Sequence, residues 1–237
     1  MGDRLRWGVR LAVWGLPLAL LLVVMLFPEI EIGLTRAFFD AERHFFPFRI
    51  APLGDFVRKT LPIILFALAA LVAILGLIAA LRRQTLFGVG PRVALYLLAS
   101  LALGPGLVVN VVLKDHWGRP RPSTIAEFSG PNTYVPPFVP SVQCDDNCSF
   151  PSGHAALGFW MVAFALLAPQ RHRQLSVAAA LLFGSLVGLA RIAQGGHFLS
   201  DVLVSGLLVS GLCLWLHRGL ILKQGFLPGK KLGSGSI

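Results

Sequence analysis

The chain has 237 residues, of which 55% are hydrophobic and 14% are charged. Soluble domains carry roughly 25% charged residues, and long stretches of this chain carry none, so the composition excludes an ordinary soluble domain and indicates an integral membrane protein. A net charge of +10 is also typical of nucleic-acid-binding proteins, but the placement of the basic residues, described below, argues against such a partner.

Three charge-free runs approach the length of a spanning helix, which needs about 20 mostly apolar residues. They are Leu11–Phe27, Leu61–Leu81 and Val93–Leu113. The first run follows three arginines, as a signal peptide would, but no small-residue cleavage site comes after it. We therefore predict that it is an uncleaved first helix.

The external segment Pro28–Lys59, between the first two helices, is rich in aromatic residues and carries charges of both signs. Such a composition is typical of a helix that lies in the membrane interface. A loop packed on the helix bundle explains the same residues equally well, and both interpretations stay open.

The last three charge-free runs are shorter: Ala155–Ala168, Leu175–Ala190 and Val202–Leu216. Each is extended at one end by polar or ionisable residues. Because an ionisable group inside the membrane costs about 2.5–3.5 kcal/mol on insertion scales, such groups usually face a cavity and mark function. We therefore predict an all-α bundle of six spanning helices, in which the outer turns of the last three helices line a polar site.

The orientation follows from the positive-inside rule. One side of the predicted topology carries twelve Lys and Arg residues against one acid, Asp3, whereas the other carries nine against ten acids. We therefore predict that both termini face the cytoplasm, and this explanation of the basic excess leaves little for a nucleic acid. Residues 1–230 form one domain, and residues 231–237 form a tail whose Gly-Ser-Gly-Ser-Ile is typical of an engineered linker.

This topology brings three cations, two histidines, one carboxylate and a Ser-Gly helix start to the external ends of the helices. The residues are Lys114, Arg121, Ser152, Gly153, His154, Arg191, His197 and Asp201. Arg and Lys bind phosphate oxygens, and a helix N-terminus offers free N–H groups to an anion. Positive charge around a transferring phosphoryl group is a major catalytic contribution. The set therefore indicates a site for a phosphate ester.

The two histidines can divide the chemistry between them. Asp201, four residues after His197, can accept an N–H from the imidazole and leave the other ring nitrogen free to attack phosphorus. His154 is then placed to protonate the leaving oxygen. Each feature alone has a simpler explanation as an interfacial anchor, a structural hydrogen bond or a helix cap. Their joint occurrence on one face favours catalysis.

Three segments resemble the signature motifs of the type 2 phosphatidic acid phosphatase superfamily: Lys114-x6-Arg121-Pro122, Pro151-Ser152-Gly153-His154 and Arg191-x5-His197-x3-Asp201. The resemblance implies that His197 is a nucleophile that forms a phosphohistidine and that Asp201 orients it. His154 would be the general acid and then the base. The phosphoryl oxygens would be bound by Lys114, Arg121, Ser152, the Gly153 N–H and Arg191. Members of this family need no metal or other cofactor, and the sequence offers no acidic cluster for Mg²⁺.

Two positions stand out beside the motifs. The family usually has Ser before the Arg of the third motif, where this chain has Ala190, so one hydrogen bond at the phosphate or behind it is expected to be missing. A second Arg-Pro pair, Arg119-Pro120, precedes Arg121. The six-residue spacing selects Arg121 for the motif, and Arg119 is expected to add charge near the substrate.

The segment Cys144-x3-Cys148-Ser-Phe resembles bacterial lipid phosphatases, in particular lipid A phosphatases. Outside the cytoplasm a disulfide between Cys144 and Cys148 is chemically reasonable, and two free thiols are the alternative. Cys213, inside the sixth helix, is interpreted as a small packing residue.

The leading hypothesis is a lipid phosphatase of the bacterial inner membrane with a periplasmic site. The candidate substrates are phosphatidylglycerol phosphate, phosphatidate, undecaprenyl pyrophosphate and lipid A. Two alternatives stay open: a phosphotransferase that discharges the same phosphohistidine onto a lipid hydroxyl, and a non-catalytic transporter or lipid-binding protein that uses the cluster as an anion site. The sequence does not indicate the oligomeric state.

Overall fold

The computed structural model describes residues 2–222, and it describes side chains for residues 14–114 and 116–222. These residues form seven helices of eight residues or more and no β-strand, so the all-α prediction is confirmed for this part of the chain. The helices are α1 (Gly2–Leu26), α2 (Glu29–Arg36), α3 (Pro52–Arg82), α4 (Pro91–Lys114), α5 (Gly153–Leu166), α6 (Arg173–Ala193) and α7 (Leu199–Leu222). The predicted tail at 231–237 lies outside the described residues, as do three of the lysines counted for orientation: Lys223, Lys230 and Lys231.

Four of these helices, α3, α4, α6 and α7, are long and apolar enough to cross a membrane. A fifth span results if Trp14–Leu26 and α2 are counted together, although the chain bends by 97° between them. Helices α6 and α7 exceed the charge-free runs predicted for them because their polar ends are also helical. The described residues therefore form a helical bundle suited to a membrane, with four or five candidate spans by length and composition.

Helix α5 has 14 residues, which corresponds to about 21 Å, whereas the hydrocarbon core of a bilayer is about 30 Å thick. It is the central helix of the bundle and packs against α3, α4, α6 and α7. In its first part, Gly153–Phe159, every residue except His154 is buried. Because the other helices surround it, α5 can begin below the surface of the bundle, and its first turn lies inside the structure.

The external segment between α1 and α3 begins with helix α2, which is bent by 97° from Trp14–Leu26. Other residues of the segment pack on neighbouring parts of the chain, so a helix and a packed loop are both present. Phe46 is only 2% exposed, and its ring packs against Phe39 and Phe128 at centroid distances of 5.1 and 5.4 Å. Glu31, on α2, is fully buried. A buried carboxylate needs compensating partners, and those partners belong to the site described below.

Close contact between α5, α6 and α7 depends on glycine. The Phe159 ring of α5 lies between Gly184 of α6 and Gly206 of α7, where an added Cβ would come within 2.4 and 2.9 Å of ring carbons. Gly158 lies against Gly184 in the same contact, with only 3.0 Å between an added Cβ and the facing Cα. Small residues thus allow the three helices to approach each other.

We expect Gly184→Ala to destabilise the protein by about 1–3 kcal/mol, because the added methyl group forces the Phe159 ring toward Gly206, where no space is available. Gly211→Ala on α7 is the matched control. A Cβ at Gly211 meets no atom within 4 Å, so the better helix propensity of Ala should leave stability unchanged or raise it by up to about 1 kcal/mol. Thermal unfolding in detergent measures both, and equal shifts for the two variants would contradict this account of the packing.

Candidate active site

The predicted site residues meet where three external connections contact one another. His154 Nε2 lies 3.0 Å from the Arg58 carbonyl oxygen, and the Gln194 side chain donates to the Gly54 carbonyl oxygen over 2.5 Å. His197 Nδ1 lies 2.7 Å from the Ser149 carbonyl oxygen. These contacts join the first turns of α3, the start of α5 with the α4–α5 connection, and the α6–α7 connection at one end of the bundle.

His197 lies in the α6–α7 connection and is fully buried. The Ser149 carbonyl can only accept a hydrogen bond, so Nδ1 carries the hydrogen and donates it. In neutral imidazole the lone pair is then on Nε2. Among the described residues, Nε2 is buried and has no hydrogen-bond partner. The ring is therefore held by one nitrogen, and the other has its lone pair free.

Burial lowers the pKa of His197 to about 3, because desolvation disfavours the imidazolium form. The Asp201 carboxylate opposes this effect, whereas the charges of Arg191 and Lys114 add to it. His197 is thus a neutral imidazole throughout the physiological pH range, as a nucleophile needs to be.

Asp201 is close to His197 but does not accept its N–H. The distance from His197 Nδ1 to Asp201 Oδ2 is 3.7 Å, too long for a hydrogen bond. That carboxylate oxygen instead accepts from the Ser149 hydroxyl at 2.5 Å and from the Phe198 N–H at 2.7 Å. The expected direct contact is wrong in this structure because α7 begins at Leu199, after His197, so a helical i, i+4 geometry does not apply to the pair.

His154 lies in the first turn of α5 and is partly buried. Its Nε2 contacts the Arg58 carbonyl oxygen in the π-helical turn Phe56–Thr60 at the start of α3. A carbonyl accepts, so Nε2 carries a hydrogen and Nδ1 of the neutral ring has the lone pair. His154 therefore has one nitrogen available to take up or release a proton.

Arg191, in the last turn of α6, is 4% exposed and donates to the Gln194 side chain. Its Nη2 would be 2.8 Å from a Cβ added at Gly196, so the guanidinium lies against the residue that precedes His197. Its Nε is buried and has no hydrogen-bond partner among the described residues. Arg191 is thus a partly satisfied cation next to the nucleophile candidate.

The other two predicted cations are less buried. Lys114 ends α4, and its charge is felt at both histidines. Arg121 donates through Nε to the Asn147 carbonyl oxygen at 2.8 Å. Burial lowers the pKa of Arg121, and the charge of Arg49 acts in the same direction. The structure thus places Lys114 and Arg121 at the same end of the bundle as Arg191.

Ser152 and Gly153 form the start of α5. The Ser152 hydroxyl accepts from the Ala155 N–H over 3.4 Å, so it caps the helix. A Cβ at Gly153 would come within 2.6 Å of Asn110 Oδ1 on α4, and only glycine allows this approach. The first-turn N–H groups of a helix have no partner within the helix and form an anion site.

A disulfide links Cys144 to Cys148. The small ring that it closes contains Asn147, whose carbonyl accepts from Arg121, and Ser149 follows it directly. The disulfide ring therefore lies beside the backbone that holds both Arg121 and His197.

The sequence predicted that Arg119 adds charge near the substrate, but the structure places it elsewhere. It is 0% exposed and bonds to the carboxylates of Asp201 and Glu31. Its position behind Asp201 follows from the buried acids, which need a cation. The sequence offered only the second Arg-Pro pair as a signal for it.

Sequence reasoning missed four residues that support the site: Ser149, Glu31, Asn110 and Gln194. Glu31 had no distinctive signal, because a second acid, Glu29, lies two residues before it. Ser149 had none, because it holds His197 by a backbone carbonyl. Among the described residues, no group of three or more His, Cys, Asp or Glu side chains could hold a metal ion.

Ala190 lines an apolar groove between α3, α6 and the external segment, the α3–α6 groove, together with residues that include Phe56, Leu61 and Phe183. Its volume is about 490 Å³. The residue at which the sequence departs from the family motif is thus part of an apolar wall, next to Arg191.

Comparisons with known proteins agree with these motifs. The model of the PAP2 superfamily matches residues 93–224. The lipid A 4'-phosphatase of Francisella tularensis subsp. novicida is 39% identical over 205 residues, which cover 84% of this chain and 90% of that protein. The lipid A 4'-phosphatase of Rhizobium etli is 40% identical over 105 residues, or 44% of this chain and 41% of that protein. The phosphatidylglycerophosphatase B of Bacillus subtilis is 31% identical over 130 residues, or 52% and 56%. No solved structure is significantly similar.

The low pKa of His197 predicts a pH-dependent loss of stability. Unfolded His binds a proton near pH 6.5, whereas folded His197 does so only near pH 3. Stability is therefore complete above pH 6.5 and falls as the pH decreases toward 3, by about 2 kcal/mol at pH 5. His197→Asn keeps a donor for Ser149 but cannot titrate. Between pH 7.5 and pH 5, we expect the Tm of the wild-type protein to decrease more than the Tm of this variant. Equal decreases would contradict a neutral buried imidazole.

Removal of the disulfide should misplace Arg121 and His197 without removing either. We expect Cys144→Ser/Cys148→Ser to lower turnover of a phosphorylated lipid by roughly 10- to 100-fold, because small displacements of positioned groups are costly. A reductant should bring wild type to the level of the double variant and leave the double variant and Cys213→Ser unaffected. Full activity of the double variant would show that the disulfide ring does not support the site.

Proposed function

The chain belongs to the PAP2 superfamily, and on that basis we propose that it is an integral membrane phosphatase that hydrolyses the phosphomonoester or pyrophosphate of a lipid through a phosphohistidine. The observation that carries this proposal is the state of His197. Its Nδ1 is held by the Ser149 carbonyl, and its buried Nε2 has no hydrogen-bond partner among the described residues. A neutral imidazole fixed in this way is suited to attack phosphorus through Nε2.

In the first step, the Nε2 lone pair forms a bond to phosphorus as the bond from phosphorus to the lipid oxygen breaks. The departing oxygen takes a proton from His154 Nδ1, which the neutral ring takes up before this step. The His197 ring keeps its Nδ1 hydrogen and gains a positive charge. Arg191, Lys114 and Arg121, with the first-turn N–H groups of α5, neutralise the phosphoryl oxygens.

In the second step, His154 is neutral and can act as a base through Nδ1, because its Nε2 is engaged by the Arg58 carbonyl. It removes a proton from water as the water oxygen attacks phosphorus. The bond from phosphorus to Nε2 breaks, inorganic phosphate forms, and both histidines return to their starting states.

The α3–α6 groove supports a lipid substrate rather than a soluble phosphate ester. Its walls are apolar and aromatic, and they include Ala190 and Ala193, which flank Arg191 on α6. An acyl chain of the lipid in this groove would bury its methylene groups, each of which contributes about 0.8 kcal/mol to binding. The phosphate of the same lipid would then point toward Arg191.

Lipid A, with its 4'-phosphate as the reacting group, is the first substrate candidate. The relative from Francisella that carries this name aligns along 84% of the chain. Phosphatidylglycerol phosphate is the second candidate, because the Bacillus relative named for it aligns along 52% of the chain. Phosphatidate and undecaprenyl pyrophosphate complete the set.

The proposed topology has six spans, with both termini in the cytoplasm and the site in the periplasm of a bacterial inner membrane. Four helices qualify by length and composition, the bent pair supplies a fifth, and the short α5 a sixth. Lipid does not surround α5, which removes the need for a full-length span. The asymmetry of Lys and Arg supports the orientation.

Phosphate release from the four candidate lipids tests this function. The purified protein in mixed micelles should release phosphate fastest from lipid A, with no acceptor added and with EDTA present. In His197→Asn, which keeps the donor to Ser149, we expect turnover to fall by at least about 10⁴-fold because no other group can replace the nucleophile. Thermal unfolding should show that the variant is folded.

The same assay separates the alternatives. Label that moves to a second lipid instead of water would identify a phosphotransferase, and turnover that survives in folded His197→Asn would exclude the phosphohistidine. Reversible loss of activity in EDTA would contradict the metal-independent mechanism. If none of the lipids is hydrolysed while one is bound or moved across vesicles, the non-catalytic alternative gains support.

A further inference from the structure

Behind His197, on the side away from its free nitrogen, lies a buried charge cluster: Glu31 of α2, Arg119 of the α4–α5 connection and Asp201 of α7. All three side chains are 0% exposed. Arg119 Nη2 donates to Glu31 Oε1 at 2.7 Å, and Nη1 donates to Asp201 Oδ1 at 2.5 Å. The sequence motifs do not explain why a catalytic carboxylate should share its cation with a second acid.

Arg119 uses all five of its N–H groups in this cluster. Besides the two carboxylates, they reach the Val135 carbonyl, the Ser200 hydroxyl and the Tyr134 hydroxyl. The guanidinium also lies 4.4 Å from the centre of the Phe198 ring. A planar, fully used guanidinium fixes the Asp201 carboxylate in place, but it also cancels the charge of that carboxylate.

Both carboxylate oxygens of Glu31 accept hydrogen bonds. Its oxygens receive Arg119 Nη2, the Tyr134 hydroxyl at 2.5 Å and the Ser200 N–H at 3.0 Å. Hydrogen bonds of this kind stabilise the ionised carboxylate. The cluster therefore contains one positive and two negative charges, and its surplus negative charge lies in a buried region where charges act strongly.

The rest of this inference depends on the proposed phosphohistidine. When Nε2 bonds to phosphorus and the bond to the lipid oxygen breaks, that oxygen takes its proton from His154, and the His197 ring becomes positively charged with its Nδ1 hydrogen in place. Asp201 Oδ2 is 3.7 Å from that Nδ1. A surplus negative charge at this position stabilises the charged ring, but only if the charge of Arg119 is offset.

We propose that Glu31 and Arg119 are positioning residues for phosphoryl transfer: Arg119 holds Asp201, and Glu31 offsets the charge of Arg119 so that Asp201 can stabilise the phosphorylated His197 ring. Glu31 does not touch the substrate in this role. It connects α2 to the reaction and gives the external segment a part in catalysis.

Glu31→Gln is the direct test, because it keeps the shape and removes the charge. We expect kcat and the single-turnover rate of His197 phosphorylation to fall by roughly 10-fold, less than the 10²–10³ lost with a directly contacting group. KM should change by less than about twofold, since ground-state binding is not involved. Glu29→Gln is the matched control, because Glu29 lies exposed on the same helix, and it should behave as wild type.

Glu31→Gln/Arg119→Gln separates a charge effect from a structural one. The double variant restores a surplus negative charge, and Asp201 keeps the Ser149 hydroxyl and the Phe198 N–H as donors, so it should phosphorylate His197 faster than Glu31→Gln alone. A purely structural role predicts the opposite, because a second buried group has been changed. Thermal unfolding shows whether each variant is folded.

Wild-type rates of Glu31→Gln, a raised KM with unchanged kcat, or a folded double variant slower than Glu31→Gln would each overturn the proposal. If the double variant does not fold, the kinetics of Glu31→Gln decide: a lowered kcat with unchanged KM supports the proposal, and a raised KM with unchanged kcat contradicts it. Absence of labelled histidine in wild type would instead contradict the proposed function, and the two failures are thus distinguishable.

Discussion

The carboxylate of Asp201 connects the separate external segments of the protein. It is fully buried, and a buried carboxylate costs several kcal/mol unless donors surround it. Its donors are Arg119 and Ser149, at the two ends of the α4–α5 connection, and the Phe198 N–H before α7. Because no one segment satisfies this charge, the connections can reach their native positions only together. The geometry of the candidate site is therefore a consequence of how these connections fold together.

The sequence was most informative where function and local structure coincide. A helix start with Ser152 and Gly153, and cations at helix ends, are visible in short motifs, and the structure brings them to one end of the bundle. The supporting contacts are different in kind. Both histidines are held by carbonyl oxygens, of Ser149 and Arg58, and every residue has a carbonyl. Glu31 bonds to the Ser200 N–H across 169 positions, a separation that no local pattern predicts.

The span count shows a second reason why sequence reasoning was incomplete. The length of a charge-free run indicates how much of a helix could contact lipid. The length of the helix itself also depends on the protein that packs around it. Helices α6 and α7 continue past the charge-free runs at both ends, through Arg173 and Arg191 of α6 and through Asp201 and His217 of α7, so the runs underestimated them. Helix α5 is short in fact, since protein encloses it on all sides. Hydropathy alone gives the same short run for a long helix with polar ends and for a short helix. Only the packing of the neighbouring helices distinguishes the two.

In the proposed function, α6 presents one face to the phosphate and another to the lipid body. Arg191 faces the histidines, and Ala190 faces the α3–α6 groove. A Ser at position 190, which the family motif usually has, would place a hydroxyl on an otherwise apolar wall. Ala keeps that wall apolar at the cost of a hydrogen bond. Relatives that share the motifs are named for different lipids, so the proposed function assigns substrate choice to such wall positions and to the external segment. The same segment contributes Glu31 to the buried cluster, which connects it to the residues behind His197.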